Sequence, residues 1–251
     1  MQPTARRCAA FLSNIHALVW PCRPARFALP TRMANSETLP AVVDHRAVQV
    51  AAEHYDFERY DDRERWMSYW HQLRAVLAVR PQRVLEIGPG SGVFRSYLQR
   101  AGIDVKTLDI DAGRDVDYVA DVTKLDTSLP ADLRFDAICA FQILEHIPFA
   151  EFEAALAAIA KRATPHVFIS LPYRGLRVRW AFWWGDHMLT LGHKFMLPWR
   201  HKPIAEHYWE LGYPYTAAKI TKILAKHFDV VDRGFVRENP YHYMWSLKVK
   251  S

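Results

Sequence analysis

Glu86, Gly88, Gly90, Gly92 and Asp109 are the residues of this 251-residue chain whose types and spacing point most clearly to chemistry. Val84, Leu85 and Ile87 supply the apolar, partly β-branched character of a buried strand, and the glycines follow it at alternate positions. A side chain at any of the three would block either a tight turn or the close approach of a ligand to backbone. Pro89 stiffens the loop, and Ser91 is placed to cap a helix that begins near Val93. The spacing is G-x-G-x-G, not the G-x-G-x-x-G of dinucleotide sites. Glu86, two residues ahead of the first glycine, would repel phosphates and attract an amine or a sulfonium. Asp109 follows Gly88 by 21 residues, close to the ~20 of a carboxylate that holds ribose hydroxyls. Taken alone, the loop also suits an ordinary turn between strand and helix.

The surrounding pattern supplies the elements that would position these groups. Residues 105–111 read as a second strand ending in acids, and 116–120 as a short third strand running into Asp121 and Val122. Residues 135–141 form a fourth strand, followed by Gln142, Ile143, Leu144, Glu145 and His146. A helix over 150–162 carries Phe152, Leu156 and Ile159 at helical spacing, and 167–172 is a fifth strand. Farther on, a helix over 216–228 has Thr216 as its cap, Val230 and Val231 mark a sixth strand, and 243–249 a seventh. Upstream, residues 39–80 look helical, with Trp66, Tyr69, Trp70, Leu73 and Leu77 three or four apart. Tyr60, Trp66 and Tyr69 lie within reach of the pocket, although packing of the stripe on the sheet is the plainer reading.

In order and spacing, this set resembles the class I S-adenosylmethionine-dependent methyltransferases of small-molecule type, over residues 83–172 and more loosely beyond. The resemblance implies an α/β fold: a doubly wound, Rossmann-like sheet of seven strands, mostly parallel with the last antiparallel, flanked by helices. It implies S-adenosylmethionine as cofactor. Glu86, Gly88, Gly90 and Gly92 would wrap its methionine part, Asp109 would hold the ribose and Ile110 would flank the adenine. Asp121 would accept from the adenine amino group beside Val122, though it could equally cap a turn, while Phe141 and Gln142 would stand near the sulfonium. Asp136, at the opening of the fourth strand, and Cys139 within it read as structural. His146 and His207 are the two candidates for a general base. Residues 206–210, Glu-His-Tyr-Trp-Glu, resemble a His-x-Trp-Glu pattern of such enzymes, and Glu206, Tyr208, Trp209 and Glu210 are candidate acceptor contacts, with Asn239 and Tyr241 across the same opening. No metal ligand set is legible.

The formal charge of +6 sits in two segments. Residues 1–36 hold five arginines and no acid, and 174–202 hold six basic residues against Asp186, leaving the remainder at 22 basic and 26 acidic. The three cysteines form no metal or disulfide pattern, so a cytoplasmic setting is expected, with membrane association left open. No apolar run reaches the ~18 residues of a membrane span. Residues 1–35 are expected to be an extension, either a disordered tail or sequence ahead of a true start at Met33. Residues 36–251 are expected to be one domain, with a helical aromatic and basic insertion over 173–203.

That insertion is the best candidate for acceptor selection. Its basic groups and tryptophans suit a small-molecule or amphiphilic acceptor, and peripheral membrane contact through 174–202, although a helix that buries its tryptophans against the domain and leaves its arginines in water is the plainer reading. Nucleic acid is disfavoured, because Phe141 and Gln142 stand where amino-directed enzymes carry an Asn/Asp-Pro-Pro-aromatic motif. Three readings remain in competition: methyl transfer to oxygen or nitrogen of a small or lipid-like acceptor, methylation of RNA or protein docked on the insertion, and a non-catalytic cofactor-binding module at a membrane surface.

Overall fold

The computed structural model of the chain describes residue 57 and residues 60–173, 175–195 and 203–250. The expectations for 1–35, and for a helix before residue 57, fall outside those residues. Within them the elements run α1 (Arg63–Ala78), β1 (Arg83–Ile87), α2 (Val93–Arg100), β2 (Asp104–Asp109), β3 (Tyr118–Val119), α3 (Leu125–Ser128), β4 (Phe135–Phe141), α4 (Phe149–Arg162), β5 (Ala163–Pro172), β6 (Leu176–Trp184), β7 (His187–Phe195), α5 (Ala217–Leu224), β8 (Phe228–Phe235) and β9 (His242–Val249). Seven strands form one sheet in the order β3-β2-β1-β4-β5-β9-β8. Only β9 runs against its neighbours, between β5 and β8.

Strands buried on both faces read as nearly continuous apolar runs, and β1 and β4 are of this kind. Alternate residues serve opposite layers. Leu85, Ile87, Ile138 and Ala140 pack in the cluster that holds Phe152, Leu156 and Ile159 of α4. Val84, Ala137 and Cys139 face Val76 of α1 with Phe94 and Leu98 of α2. Asp136 accepts from the backbone N–H groups of Gln82 and Arg83 at 2.7 and 2.8 Å, tying the start of β1 to β4. Strand order reverses between β1 and β4, and the crevice outside their carboxyl ends is where this type of sheet places ligands.

Helix α1 is capped by Asp62, whose side chain accepts from Arg65 N–H at 2.7 Å. Its buried face is Ser68, Gln72 and Val76, while Trp66 and Trp70 stand 45% and 49% exposed, so these tryptophans do not pack on the sheet as the stripe suggests. Ser91 does not cap α2. Gly92 occupies the cap position with φ +75°, and the Ser91 hydroxyl instead meets that of Tyr69 at 3.1 Å. Thr216 does cap α5, accepting from Lys219 N–H at 3.2 Å.

The largest correction concerns 173–203. The sequence predicts a helix there, but the chain forms the hairpin β6–β7, a two-stranded sheet of its own. The physical reason lies in a period of two. Val178, Trp180, Phe182 and Trp184 alternate along β6, and Gly185, at φ +56°, and Asp186 form the two-residue turn.

Candidate functional site

At the carboxyl end of β1 the chain turns through Gly88, Gly90 and Gly92 with φ of +69°, +54° and +75°, conformations L side chains rarely adopt. At Gly88 space is limiting too, since a Cβ there would lie 1.9 Å from Ile143 Cδ1. Beside the loop Glu86 is buried, and its Oε2 has no hydrogen-bond partner among the described residues. Burial pushes the Glu86 carboxyl well above its ordinary range, and the Arg95 charge only partly opposes this. An unbonded buried acid is costly unless something cationic completes it, so this arrangement fits a ligand amine.

Asp109 closes β2. Desolvation raises its pKa, against a bond accepted from Asp111 N–H at 3.0 Å and the Arg114 guanidinium at 3.7 Å. Ile110 is half-buried next to it. Asp121 takes the turn-capping role left open above, its Oδ1 accepting from both N–H and hydroxyl of Thr123 at 2.8 Å, with Val122 buried behind. Phe141 meets Phe94 edge to face at 5.2 Å. Gln142 holds a left-handed φ of +58° and anchors through Ser170, whose hydroxyl accepts from Nε2 at 3.1 Å. A non-glycine residue held there is strain of the kind that accumulates at ligand sites.

A turn over Leu144–His146 follows β4, and residues 204–211 fold across it. Tyr208 N–H donates to Glu145 O at 3.0 Å. His146 Nδ1 lies 2.9 Å from Glu206 O, the contact of a ring N–H with a carbonyl. The His146 and His207 rings stand perpendicular with centroids 4.8 Å apart. His207 Nδ1 is 2.9 Å from Glu210 Oε1, both side chains nearly buried, and that oxygen also accepts from Ile204 N–H at 3.2 Å. Trp209 belongs to the core. It is 1% exposed, donates Nε1–H to Ile147 O at 3.1 Å and packs on Phe149, Phe152 and Tyr215.

Glu145 is the residue that pattern alone did not single out. It is wholly buried, and among the described residues neither carboxylate oxygen has a hydrogen-bond partner. Desolvation drives its pKa well up, the Glu210 charge adds to the rise and Arg65 opposes it. Ligand atoms of Glu145, His146 and His207 lie within 4.8 Å of one another. That is somewhat wider than the roughly 4.2 Å spanned by two ligands at about 2.1 Å from one ion.

A cavity of about 320 Å³ is lined by Tyr60, Asp62, Glu64, Arg65, Asn239, Tyr241 and His242, and its Arg65 is the cation whose charge reaches Glu145. Its volume is in the range of small-molecule sites. Asn239 is tied to α1 through Ser68, 3.0 Å away, and Tyr241 O accepts from Tyr173 N–H at 2.6 Å. The Arg65 guanidinium stacks 4.1 Å over the Tyr60 ring and has no carboxylate partner among the described residues. Of the three aromatic residues expected at the pocket, Tyr60 lines this cavity, whereas Trp66 and Tyr69 do not. Arg65 carries no sequence signal as a site residue, because α1 meets the β8–β9 connection only in three dimensions.

A sheet in this order, with a glycine loop at the β1/β4 switch and a carboxylate closing β2, defines a class I methyltransferase fold. A family model described as a methyltransferase domain matches residues 37–226, and the chain belongs to that family. Among curated relatives, the ubiquinone biosynthesis O-methyltransferase of Ralstonia nicotianae is 28% identical over 122 residues, covering 43% of this chain and 50% of that protein. Its counterpart from Pectobacterium atrosepticum is 29% identical over 104 residues, covering 36% and 42%. The chain thus spans about half or less of the curated relatives it matches. Among solved structures, the N-methyltransferase NodS of Bradyrhizobium japonicum, in complex with S-adenosyl-L-homocysteine, is 14% identical with a TM-score of 0.52 over 76% of this chain and 90% of that one. The 1,6-didemethyltoxoflavin-N1-methyltransferase of Burkholderia thailandensis is 21% identical with a TM-score of 0.50 over 86% and 99%. At such identities the structures support the fold.

Proposed function

We propose that the protein transfers the methyl group of S-adenosylmethionine to an oxygen or nitrogen of a small-molecule or lipid-like acceptor. The observation that carries this reading is adjacency. Gly88 of the cofactor loop is packed on Ile143, two residues ahead of Glu145 and three ahead of His146, so donor cradle and acceptor cluster share one sheet end. When bound, the donor would supply an electrophilic sulfonium methyl, whose bond to sulfur would give way to one with the acceptor atom.

The protein's own contribution is to hold, align and deprotonate. Glu86 and the Gly88–Gly90–Gly92 backbone would receive the amino-acid end of the donor, and Asp109 its ribose hydroxyls. Ile110 and Val122 would wall the adenine, while Phe141 and Gln142 would border the methyl. Alignment of the acceptor in the cavity beside Arg65 provides the proximity term of the rate. His207 takes the acceptor proton at Nε2, because Glu210 fixes its N–H on Nδ1 and orients the ring. His146, held in the same tautomer by Glu206 O, stands against it as the alternative base. The reading takes in peripheral membrane contact through residues 174–202 for an amphiphilic acceptor; no helix of the described residues is long and apolar enough to cross a membrane.

Titration calorimetry of S-adenosylmethionine into the wild type and Gly90→Arg tests the donor site. Affinity is expected to vanish in the variant while far-UV circular dichroism is retained, and equal affinity would overturn the assignment.

A further inference from the structure

We infer that the turn end of the β6–β7 hairpin enters an anionic lipid surface and docks the domain on it. The inference draws on the reading of an amphiphilic acceptor, but its test needs no methyl transfer. Trp180, Phe182, Trp183, Trp184 and Leu189 are 61%, 53%, 71%, 87% and 59% exposed. Aromatic residues of this size bury 150–250 Å² each, so these five side chains present at least several hundred Å² of apolar surface, as much as the largest patches of ordinary soluble proteins. The exposure falls on both faces. Phe182, paired in register with Leu189, points to one side, and its chain neighbour Trp183 to the other. A hairpin lying on the domain would hide one face, and one built only as a lid would hide its tryptophans.

The hairpin also stands apart from the seven-stranded sheet, and no third strand pairs with it among the described residues. Two strands alone are marginal in water, so a hairpin of this kind gains from an apolar surface to bind. The occupant is argued from charge. The segment 174–202 holds six basic residues and one acid, against an acidic remainder of the domain. The register places Arg177 opposite Lys194 on the base half of the hairpin and the tryptophans on the turn half. Aromatic tip and cationic base is the polarity of an element seated in the interface of an anionic bilayer, where tryptophan is favoured and each basic residue near the surface adds attraction.

Placement ties this surface to the reaction centre. The hairpin follows directly on β5, whose end at Pro172 and Tyr173 is bonded to Leu211 N–H and Tyr241 O, beside the acceptor cavity.

The test is co-sedimentation of the full chain with vesicles of phosphatidylcholine alone and with about 30% phosphatidylglycerol. The wild type should pellet with the anionic vesicles and largely remain in solution with the neutral ones. Trp183→Ser/Trp184→Ser, whose residues are exposed and outside the described core, should lose at least tenfold in partitioning at an unchanged melting temperature. A pelleted fraction that is the same for wild type and variant, or the same on neutral and anionic vesicles, overturns the inference. So does a wild-type dimer in sedimentation velocity that the double substitution converts to monomer without any vesicle binding, because the patch is then an interface between copies.

Discussion

Substituting Gly88 by alanine tests the geometry where the two halves of the site touch. The new Cβ would lie 1.9 Å from Ile143 Cδ1 and 2.6 Å from Cγ1, but 3.8 Å from Cβ, an ordinary contact. Carbon pairs settle near 3.5 Å or beyond, so the end of the Ile143 side chain must retreat by roughly 1.6 Å. Retreat of this kind in a packed site costs about 1–3 kcal/mol, and holding alanine at a left-handed φ of +69° adds about 1–2 kcal/mol. Gly88→Ala is therefore expected to destabilise the domain by about 2–5 kcal/mol. The two contributions separate in a cycle with Ile143→Ala, which removes Cγ1 and Cδ1 and leaves only the harmless Cβ contact. Urea unfolding of the four proteins should give a favourable coupling of about 1–3 kcal/mol, with the backbone strain surviving in the double variant. Additivity within ~0.5 kcal/mol would refute the claim that the cofactor loop is packed against the residue leading into the Glu145–His146 turn.

Other consequences can be measured on the same protein. His207→Ala should lower kcat by about 10²–10⁴-fold, the usual worth of a general base, with S-adenosylmethionine affinity unchanged by calorimetry; a loss confined to His146→Ala would transfer the role. Glu145→Gln should gain stability relative to the wild type as pH rises. The buried carboxyl has a folded pKa well above its ordinary 4.5, so the wild type is fully stabilised below that value and loses stability as pH rises toward the folded pKa. The slope is at most about 1.4 kcal/mol per pH unit, and a wild-type-minus-variant difference that stays constant in urea titrations from pH 5 to 8 contradicts it. Arg162→Met should destabilise by about 3 kcal/mol or more in a thermal melt, because that buried guanidinium serves the carbonyls of Asp126, Leu129, Pro130 and Ala131.

The geometry of the proposed cofactor half is legible in sequence because its rules are local. Three glycines after a buried strand and an acid about twenty residues on describe one turn and one neighbouring strand end, and the chain folds them as spaced. Asp121 shows the limit even there, since an acid that caps its own turn through Thr123 has the same sequence signature as one that meets an adenine. The proposed acceptor half depends on contacts across sixty residues, such as His146 with Glu206, and no periodicity encodes these. Trp209 and Glu210 are adjacent in sequence, yet one is core and the other orients a histidine, because their neighbours in space differ. In the insertion the signal was present in the sequence. Alternation through Trp180, Phe182 and Trp184 into Gly185–Asp186 spells a hairpin, but short aromatic-rich runs carry helical and strand patterns at once.

The central claim is methyl transfer to a small or lipid-like acceptor, and transfer of label tests it most directly. The protein is incubated with methyl-labelled S-adenosylmethionine and a cell extract separated into metabolite, lipid, RNA and protein fractions. Label should appear in the metabolite or lipid fraction, and Gly90→Arg should abolish it. Label confined to RNA or protein, or no transfer to any fraction by a protein that binds the donor, would contradict the account.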